Sequence, residues 1–290
     1  MINKTIFQGL IIGIAFFGLW FGLSQVNFVN FFQIDKHTSA AENKIGDLIW
    51  DEIHDSEQVI TNDSVVKTLD KLINPICKAN GIVRDSLKIH IVKKDEVNAF
   101  ALPNNHLVVY TGLIVDCKKQ EALQGVLGHE IAHIENNHVM KKLSKEVGLS
   151  VLLAAASGGK GGQIIKEIFK TLSSTAYDRA LEKEADMQSV KYLLKANISP
   201  EPMADFMYEL AQKHDSPSGF GWISTHPESE ERAKYILDYL KGRKYQKKQI
   251  LTSELKSEFF SKKAQVILFR RFQKCGRFQF PELLPDKNSS

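Results

Sequence analysis

The chain has 290 residues, enough for one large domain or two small ones. Its composition, 43% hydrophobic and 25% charged, is that of a globular protein and excludes a largely disordered one. The formal net charge of +4 is small for this length and supports no nucleic-acid-binding role.

Residues 5–34 carry no charged side chain. Within them, "IFQGLIIGIAFFGLWFGL" is long and apolar enough to cross a hydrocarbon core of roughly 30 Å, which takes about 20 helical residues. Lys4 precedes the run, so the positive-inside rule puts the N-terminus in the cytoplasm and the remaining chain across the membrane. A cleaved signal peptide is the rival reading. No small-x-small site follows closely and no cysteine stands there to carry a lipid, which favours an uncleaved anchor over residues 1–34.

Next, "SAAENKIGDLIWDEI" and "DSVVKTLDKLINPI" have apolar residues at helical spacing. The period then changes. "LKIHIV", "NAFAL" and "HLVVYTG" read as short strands, with a hairpin at residues 103–105. They predict a small antiparallel sheet. From Lys119 to about Val147 the helical period returns. "VGLSVLLAAA" is too short to span a bilayer, and "SGGKGG" reads as a flexible turn. A helical stretch from about Gln163 to Lys195 follows, then a helix over "SPEPMADFMYELAQ", a loop over "PSGFGWISTHP" and a last helix over "ESEERAKYILDYLK". The fold class is α+β, mainly helical. Three regions emerge: an anchor over 1–34, a globular domain over 35–241 and a basic extension over 242–290. In that extension "RRFQKCGRFQF" interleaves Arg with Phe, but a solvated tail is the plainer reading than an RNA or membrane patch. Cys77, Cys117 and Cys275 are an odd number for an oxidising compartment, and a Cys77–Cys117 bridge and buried thiols both remain open.

The chemistry concentrates in "GVLGHEIAHIENNH", residues 125–138. Residues four apart share a helix face, so His129 and His133 can aim at one cation. Glu130, one step round, can reach a water there without being a ligand. Leu127, Ile131, Ala132 and Ile134 make this a buried helix, where uncompensated polar groups cost several kcal/mol, so a metal is implied. A catalytic zinc wants a third protein ligand and an open position. The extended motif with a third histidine would need Gly at 136 and His at 139, which are Asn136 and Val139. His138 falls one residue short and reads as a hydrogen-bonding structural residue. A glutamate from another helix is required, and Glu146, Glu167, Glu182 and Glu184 are available. In "YDRALEKEADMQSVKYLL", Glu182 and Asp186 share a face, so one can bind metal while the other orients a ligand. Lys183 and Glu184 read as a solvent face.

"GHEIAHIENNH" followed by "RALEKEAD" resembles zinc metallopeptidase family forty-eight, the membrane-associated gluzincins grouped with HtpX, the CaaX prenyl proteases and BepA. "VNAFALPNNHLVVYTGLI" resembles that family's strand pair, with Asn104-Asn105 where a Gly pair is common, and "STHPESEERAKYI" resembles its T-H-P…R element. The likeness covers roughly residues 40–240. It implies a zincin-like metalloprotease core with the sheet packed on the metal helix, and one Zn2+ per chain held by His129, His133 and Glu182. It further implies Glu130 as general base, Asp186 in support, and His226 and Arg232 near the metal, with His226 either stabilising the oxyanion or covering the metal at rest. The expected activity is hydrolysis of peptide bonds in polypeptide substrates, namely misfolded or misassembled envelope proteins, at the periplasmic face of a cell membrane. A chaperone-like assembly factor with little turnover, or a structural zinc that staples the fold, are the alternatives.

Overall fold

The computed structural model describes residues 34–243, apart from 62, 158–160, 213–220 and 228. The anchor expected over 1–34, Cys275 and nearly all of the basic extension therefore lie outside the described residues. Among the described residues, no helix is long and apolar enough to cross a membrane.

The chain opens with α1 (Ile34–Ser56) and α2 (Asp63–Asn80). Ile45, Ile49 and Ile53, spaced by four, form the buried stripe of α1. Three strands follow, β1 (Lys88–Val92), β2 (Ala99–Leu102) and β3 (His106–Tyr110), in the order β1-β3-β2. β2 and β3 form the expected antiparallel hairpin. Asn104 and Asn105 both have φ of 59°, a left-handed pair that asparagine tolerates better than other side chains.

The other pairing corrects the expectation. β1 runs parallel to β3, with Lys88 opposite His106 and Val92 opposite Tyr110, so the sheet is mixed, not antiparallel. Residues 93–98 do not turn back on β1 but cross the end of β3. Thr111 Oγ1 and Gly112 N–H both donate to the Lys94 carbonyl, at 2.9 and 2.8 Å. A Cβ at Gly112 would stand 2.2 Å from the Glu96 carbonyl oxygen, so the crossing leaves room only for glycine.

After α3 (Thr111–Asp116) come α4 (Gln120–Glu135) and α5 (His138–Glu146). The sequence read them as one helix. Asn137, left-handed at φ of 53°, ends the first and redirects the second. α6 (Leu149–Ala156) and α7 (Gly161–Ser174) follow, and Gly161 and Gly162 of the expected turn already belong to α7. α8 (Arg179–Lys195) is separate from α7, because residues 175–178 break the stretch expected to be continuous. α9 (Glu201–Gln212) and α11 (Ser229–Leu240) lie as expected. The expected loop before α11 contains a short helix, α10 (Gly221–Thr225). Cys77 and Cys117 are buried and form no disulfide.

The sheet is buried on both faces. Ile91, Ala99, Leu107 and Val109 join a core with α2, α4, α8, α9 and α11. Val92, Ala101, Val108 and Tyr110 join a second core with α1, α5, α6 and α7. Between them α4 is enclosed, with residues 122–133 all buried. Its two glycines permit close approach. A Cβ on Gly125 would stand 2.4 Å from Met203 Cβ, and one on Gly128 would stand 2.8 Å from Ser189 Oγ, which donates to the Gly125 carbonyl at 2.8 Å.

α1 docks on the sheet through aromatic and polar contacts. The Trp50 ring stacks on His90 with centroids 3.5 Å apart, His90 Nε2 lies 2.9 Å from His106 Nδ1, and His106 Nε2 lies 2.9 Å from Asp47. Burial, helped by the charge of His106, pushes His90 down from its ordinary 6.5 to about 3. The unfolded chain therefore takes up this proton first, and stability is lost as pH falls from 6.5 toward about 3. His90→Phe, which keeps a ring on Trp50, should flatten that loss, the difference growing by up to about 1.4 kcal/mol per pH unit. Urea unfolding of both proteins across this window checks it, and parallel profiles would contradict it.

Candidate metal centre

α4 carries His129 and His133 on one face, with their Nε2 atoms 2.9 Å apart. α8 faces it with Glu182 and Asp186, again one turn apart. Glu182 Oε1 lies 3.3 Å from His133 Nε2 and 2.8 Å from His226 Nδ1. His226 follows α10, its backbone N–H donating to the Trp222 carbonyl at 2.8 Å. One ligand atom from each of His129, His133, Glu182 and His226 lies within 4.8 Å of all the others, and all four residues are buried. Far-apart segments thus converge on one point.

Around them stands a charged shell. Asp186 Oδ1 is 2.8 Å from His129 Nδ1, and Asp186 accepts from Arg232 Nε and Nη2 at 2.8 and 2.7 Å and from the Tyr235 hydroxyl. Arg232 Nη1 lies 2.7 Å from Glu182 Oε2, at an angle that makes no hydrogen bond, and donates to the His226 carbonyl at 3.1 Å. Burial opposes charge on Asp186, yet Arg232 and the His129 hydrogen bond hold its carboxyl well below the usual carboxylate range. Burial likewise opposes charge on Glu182, but His226 and Arg232 keep it well below its ordinary value. Burial and the neighbouring His129 push His133 well down, so it is a neutral imidazole with a lone pair to give. Burial pulls His129 the same way, but Asp186 outweighs it and raises this group.

The donor set fits a zinc ion. Asp186 accepts a hydrogen bond from the Nδ1–H of His129, which leaves the Nε2 lone pair facing inward. Two lone-pair nitrogens 2.9 Å apart, with a carboxylate oxygen beside them, repel unless a proton or a metal ion stands between. His226 Nε2 is buried without a hydrogen-bond partner, which is costly unless something else engages it. Two imidazoles and a carboxylate are the protein ligands of one class of catalytic zinc, and His226 occupies the remaining side.

Glu130 is buried beside this cluster. Its Oε2 accepts from the Ala101 N–H at 3.1 Å, its Oε1 accepts from Trp222 Nε1 at 3.1 Å, and His226 Nε2 lies 3.5 Å from Oε1. The other candidate glutamates are elsewhere. Glu146 and Glu167 are exposed, and Glu184 is exposed on the solvent side of α8. Sequence reasoning missed Trp222 and Tyr177. Trp222 lay in a stretch read as loop, although its spacing of four from His226 is the mark of one helical turn. The Tyr177 ring lies against His133 and His226, with centroids 4.3 and 5.4 Å away, and no motif points to it. With Asn98, Phe100, Phe169, Leu172 and Thr225 it lines a small apolar pocket next to His226.

The profile of Peptidase family M48 matches residues 63–240. Mitochondrial metalloendopeptidase OMA1 of Schizosaccharomyces pombe is 27% identical over 176 residues, which are 59% of this chain and 52% of that protein. Metalloprotease LoiP of Escherichia coli is 28% identical over 183 residues, 61% of this chain and 71% of that protein. A putative beta-barrel assembly-enhancing protease of Vibrio cholerae is 25% identical over 203 residues, 64% of this chain and 41% of that protein. The chain thus spans about half of the first relative and less than half of the third.

Arg232 is the counter-ion of two buried carboxylates, and its loss leaves them only histidine and tyrosine partners. Arg232→Met should destabilise the metal-free protein by about 3–5 kcal/mol, well beyond a surface substitution. Urea unfolding of the metal-free chain measures this, and a change under about 1 kcal/mol would show that the ion cluster does not hold the fold.

Proposed function

The chain belongs to peptidase family M48, and from that premise we propose that it is a zinc-dependent metalloendopeptidase in which His129, His133 and Glu182 hold the metal and Glu130 is the general base. The convergence of these four side chains in one buried cluster carries the reading. Zinc, when bound, supplies Lewis acidity that polarises a peptide carbonyl and acidifies water. Glu130 takes the proton of the attacking water and returns it to the leaving amine. Its two hydrogen-bond donors, Ala101 N–H and Trp222 Nε1–H, hold its carboxylate toward the cluster. Asp186 keeps His129 in the tautomer a ligand needs, and Arg232 keeps Asp186 charged.

A peptide would enter beside β2, the edge of the sheet and the strand nearest Glu130. Strand addition near residues 98–102 reads backbone more than sequence, which suits unfolded or misassembled envelope proteins. The name of the Vibrio cholerae relative supports that substrate class. The uncharged run over residues 5–34, with Lys4 before it, supports a single membrane anchor and an extracytoplasmic catalytic domain.

Of the two roles open to His226, a resting cover is favoured. It stands among the ligand atoms, 2.8 Å from Glu182 Oε1 and 3.3 Å from His129 Nε2, where an open position would have to be. The backbone around it, through Trp222 N–H to the Val97 carbonyl at 3.2 Å, lies against the start of the edge strand.

Glu130→Gln should abolish hydrolysis of an unfolded protein such as casein, by at least ~100-fold, while one zinc per chain is retained. Glu182→Ala should instead lose most of the zinc. Near-normal cleavage by zinc-loaded Glu130→Gln would refute the mechanism. A chaperone-like factor would keep its effect on client assembly in that variant, so the same protein separates the two functions. His226→Ala should raise kcat if the histidine covers the metal and lower it if it stabilises the oxyanion. Steady-state kinetics gives the sign, and we expect a rise.

A further inference from the structure

His138 opens α5 directly after the left-handed Asn137, and this reversal folds its ring back against the metal helix. It is fully buried, and its Nδ1 lies 3.0 Å from His133 Nδ1. On its far side, His138 Nε2 is buried without a hydrogen-bond partner and lies 3.4 Å from a carboxylate oxygen of Glu184. Three side chains from α8, α5 and α4 thus stand in a row that ends at His133 Nε2, in the cluster.

Protons can be arranged along this row in two ways. If His138 Nδ1 donates, His133 carries its proton on Nε2, pointing at His129 Nε2 only 2.9 Å away. That closes the metal position, and it leaves a lone pair on His138 Nε2 facing the Glu184 carboxylate. If His133 Nδ1 donates, His138 accepts and carries its own proton on Nε2, toward Glu184. His133 Nε2 is then a lone pair aimed into the cluster. Only the second arrangement places every lone pair opposite a proton or the metal.

We propose that His138 and Glu184 are positioning residues for the metal, fixing the ring and tautomer of His133 as Asp186 fixes those of His129. The parallel is close: each metal-facing imidazole on α4 is backed by a carboxylate of α8, directly for His129 and through a histidine for His133. The proposal rests on the reading of His133 as a ligand. Support of this kind is commonly worth 10–100-fold in metal affinity.

The test is the zinc dissociation constant of the full-length protein, measured by competition with a chromophoric chelator, alongside thermal unfolding of the metal-free variants. Glu184 has a side chain 55% exposed, so Glu184→Ala should leave metal-free unfolding unchanged. It should still weaken zinc binding by about tenfold, the low end of that range. A merely structural role would not separate the two readouts. His138→Leu, which cannot accept a hydrogen bond, should weaken zinc by up to ~100-fold. His138→Asn places its Oδ1 where Nδ1 stands and should recover most of the affinity. Wild-type affinity in both Glu184→Ala and His138→Leu would overturn the proposal, as would equal loss in His138→Asn and His138→Leu. Should His138→Leu fail to fold, Glu184→Ala and His138→Asn decide alone, unchanged affinity in the first or a leucine-sized loss in the second counting against it. His133→Ala is the control: if it binds zinc as tightly as wild type, the ligand assignment has failed, an outcome distinct from failure of the relay.

Discussion

The buried guanidinium of Arg232 is the constraint on which the site depends. Glu130, Glu182 and Asp186 bring three carboxylates into an interior that excludes water, and Arg232 meets two of them directly. Lys142, which donates to the Leu172 and Thr175 carbonyls and is pushed down to about 8 by burial, adds positive charge from the other side. Three carboxylates against two cationic side chains leave a net negative charge, which favours a bound cation. The cluster therefore has an electrostatic reason to bind metal beyond the shape of its ligands. Arg232 also donates to the His226 carbonyl, so one side chain ties His226, Glu182 and Asp186 into a single arrangement.

That arrangement has a consequence for access. The four cluster residues and Glu130 are all buried, so a polypeptide that reaches them must displace what covers them. α10 is the candidate. It has five residues, is held by the Trp222 N–H to Val97 and by the Tyr177 N–H donating to the Thr225 carbonyl at 3.0 Å, carries Trp222 and leads directly into His226. It thus lies against Glu130 and Glu182 together, because the indole donates to Glu130 and the imidazole that follows stands beside Glu182.

What was legible in the sequence followed helical periodicity. His129, His133, Glu182 and Asp186 are two pairs spaced by four, and in the structure each pair shares a face and the faces meet. The parallel strand pair was not legible, because the path of residues 93–98 is set by contacts to Thr111 and Gly112, beyond the reach of local pattern. The break at Asn137 had a signal in the doubled asparagine of "ENNH", since asparagine tolerates left-handed backbone better than other side chains. It was hidden by the helical period on both sides. The same break explains His138, which on an unbroken helix would sit one place away from a third ligand and, once α5 turns, backs the second ligand instead. Trp222 was obscured by the Gly, Ser and Pro residues around it, whose turn chemistry outweighed a single helical spacing.

The last determinant of the site has no chemistry of its own. Glu182 and Asp186 can reach across from α8 only if the two helices lie close, and Gly128 meets Ser189 where any side chain would collide. Gly125 does the same for α9 against Met203, while its carbonyl accepts the Ser189 hydroxyl. A methyl group at either position would force the partner helix outward or its side chain out of place. Hydrogen bonds of 2.7–2.8 Å between Asp186 and both His129 and Arg232 leave little slack for such a shift. Lengthening them would release the His129 tautomer and uncover the charge on Arg232 together. The glycines ahead of the histidines in "GVLGHEIAH" therefore set the distance at which α8 can act on α4, and the metal centre depends on that spacing as much as on its ligands.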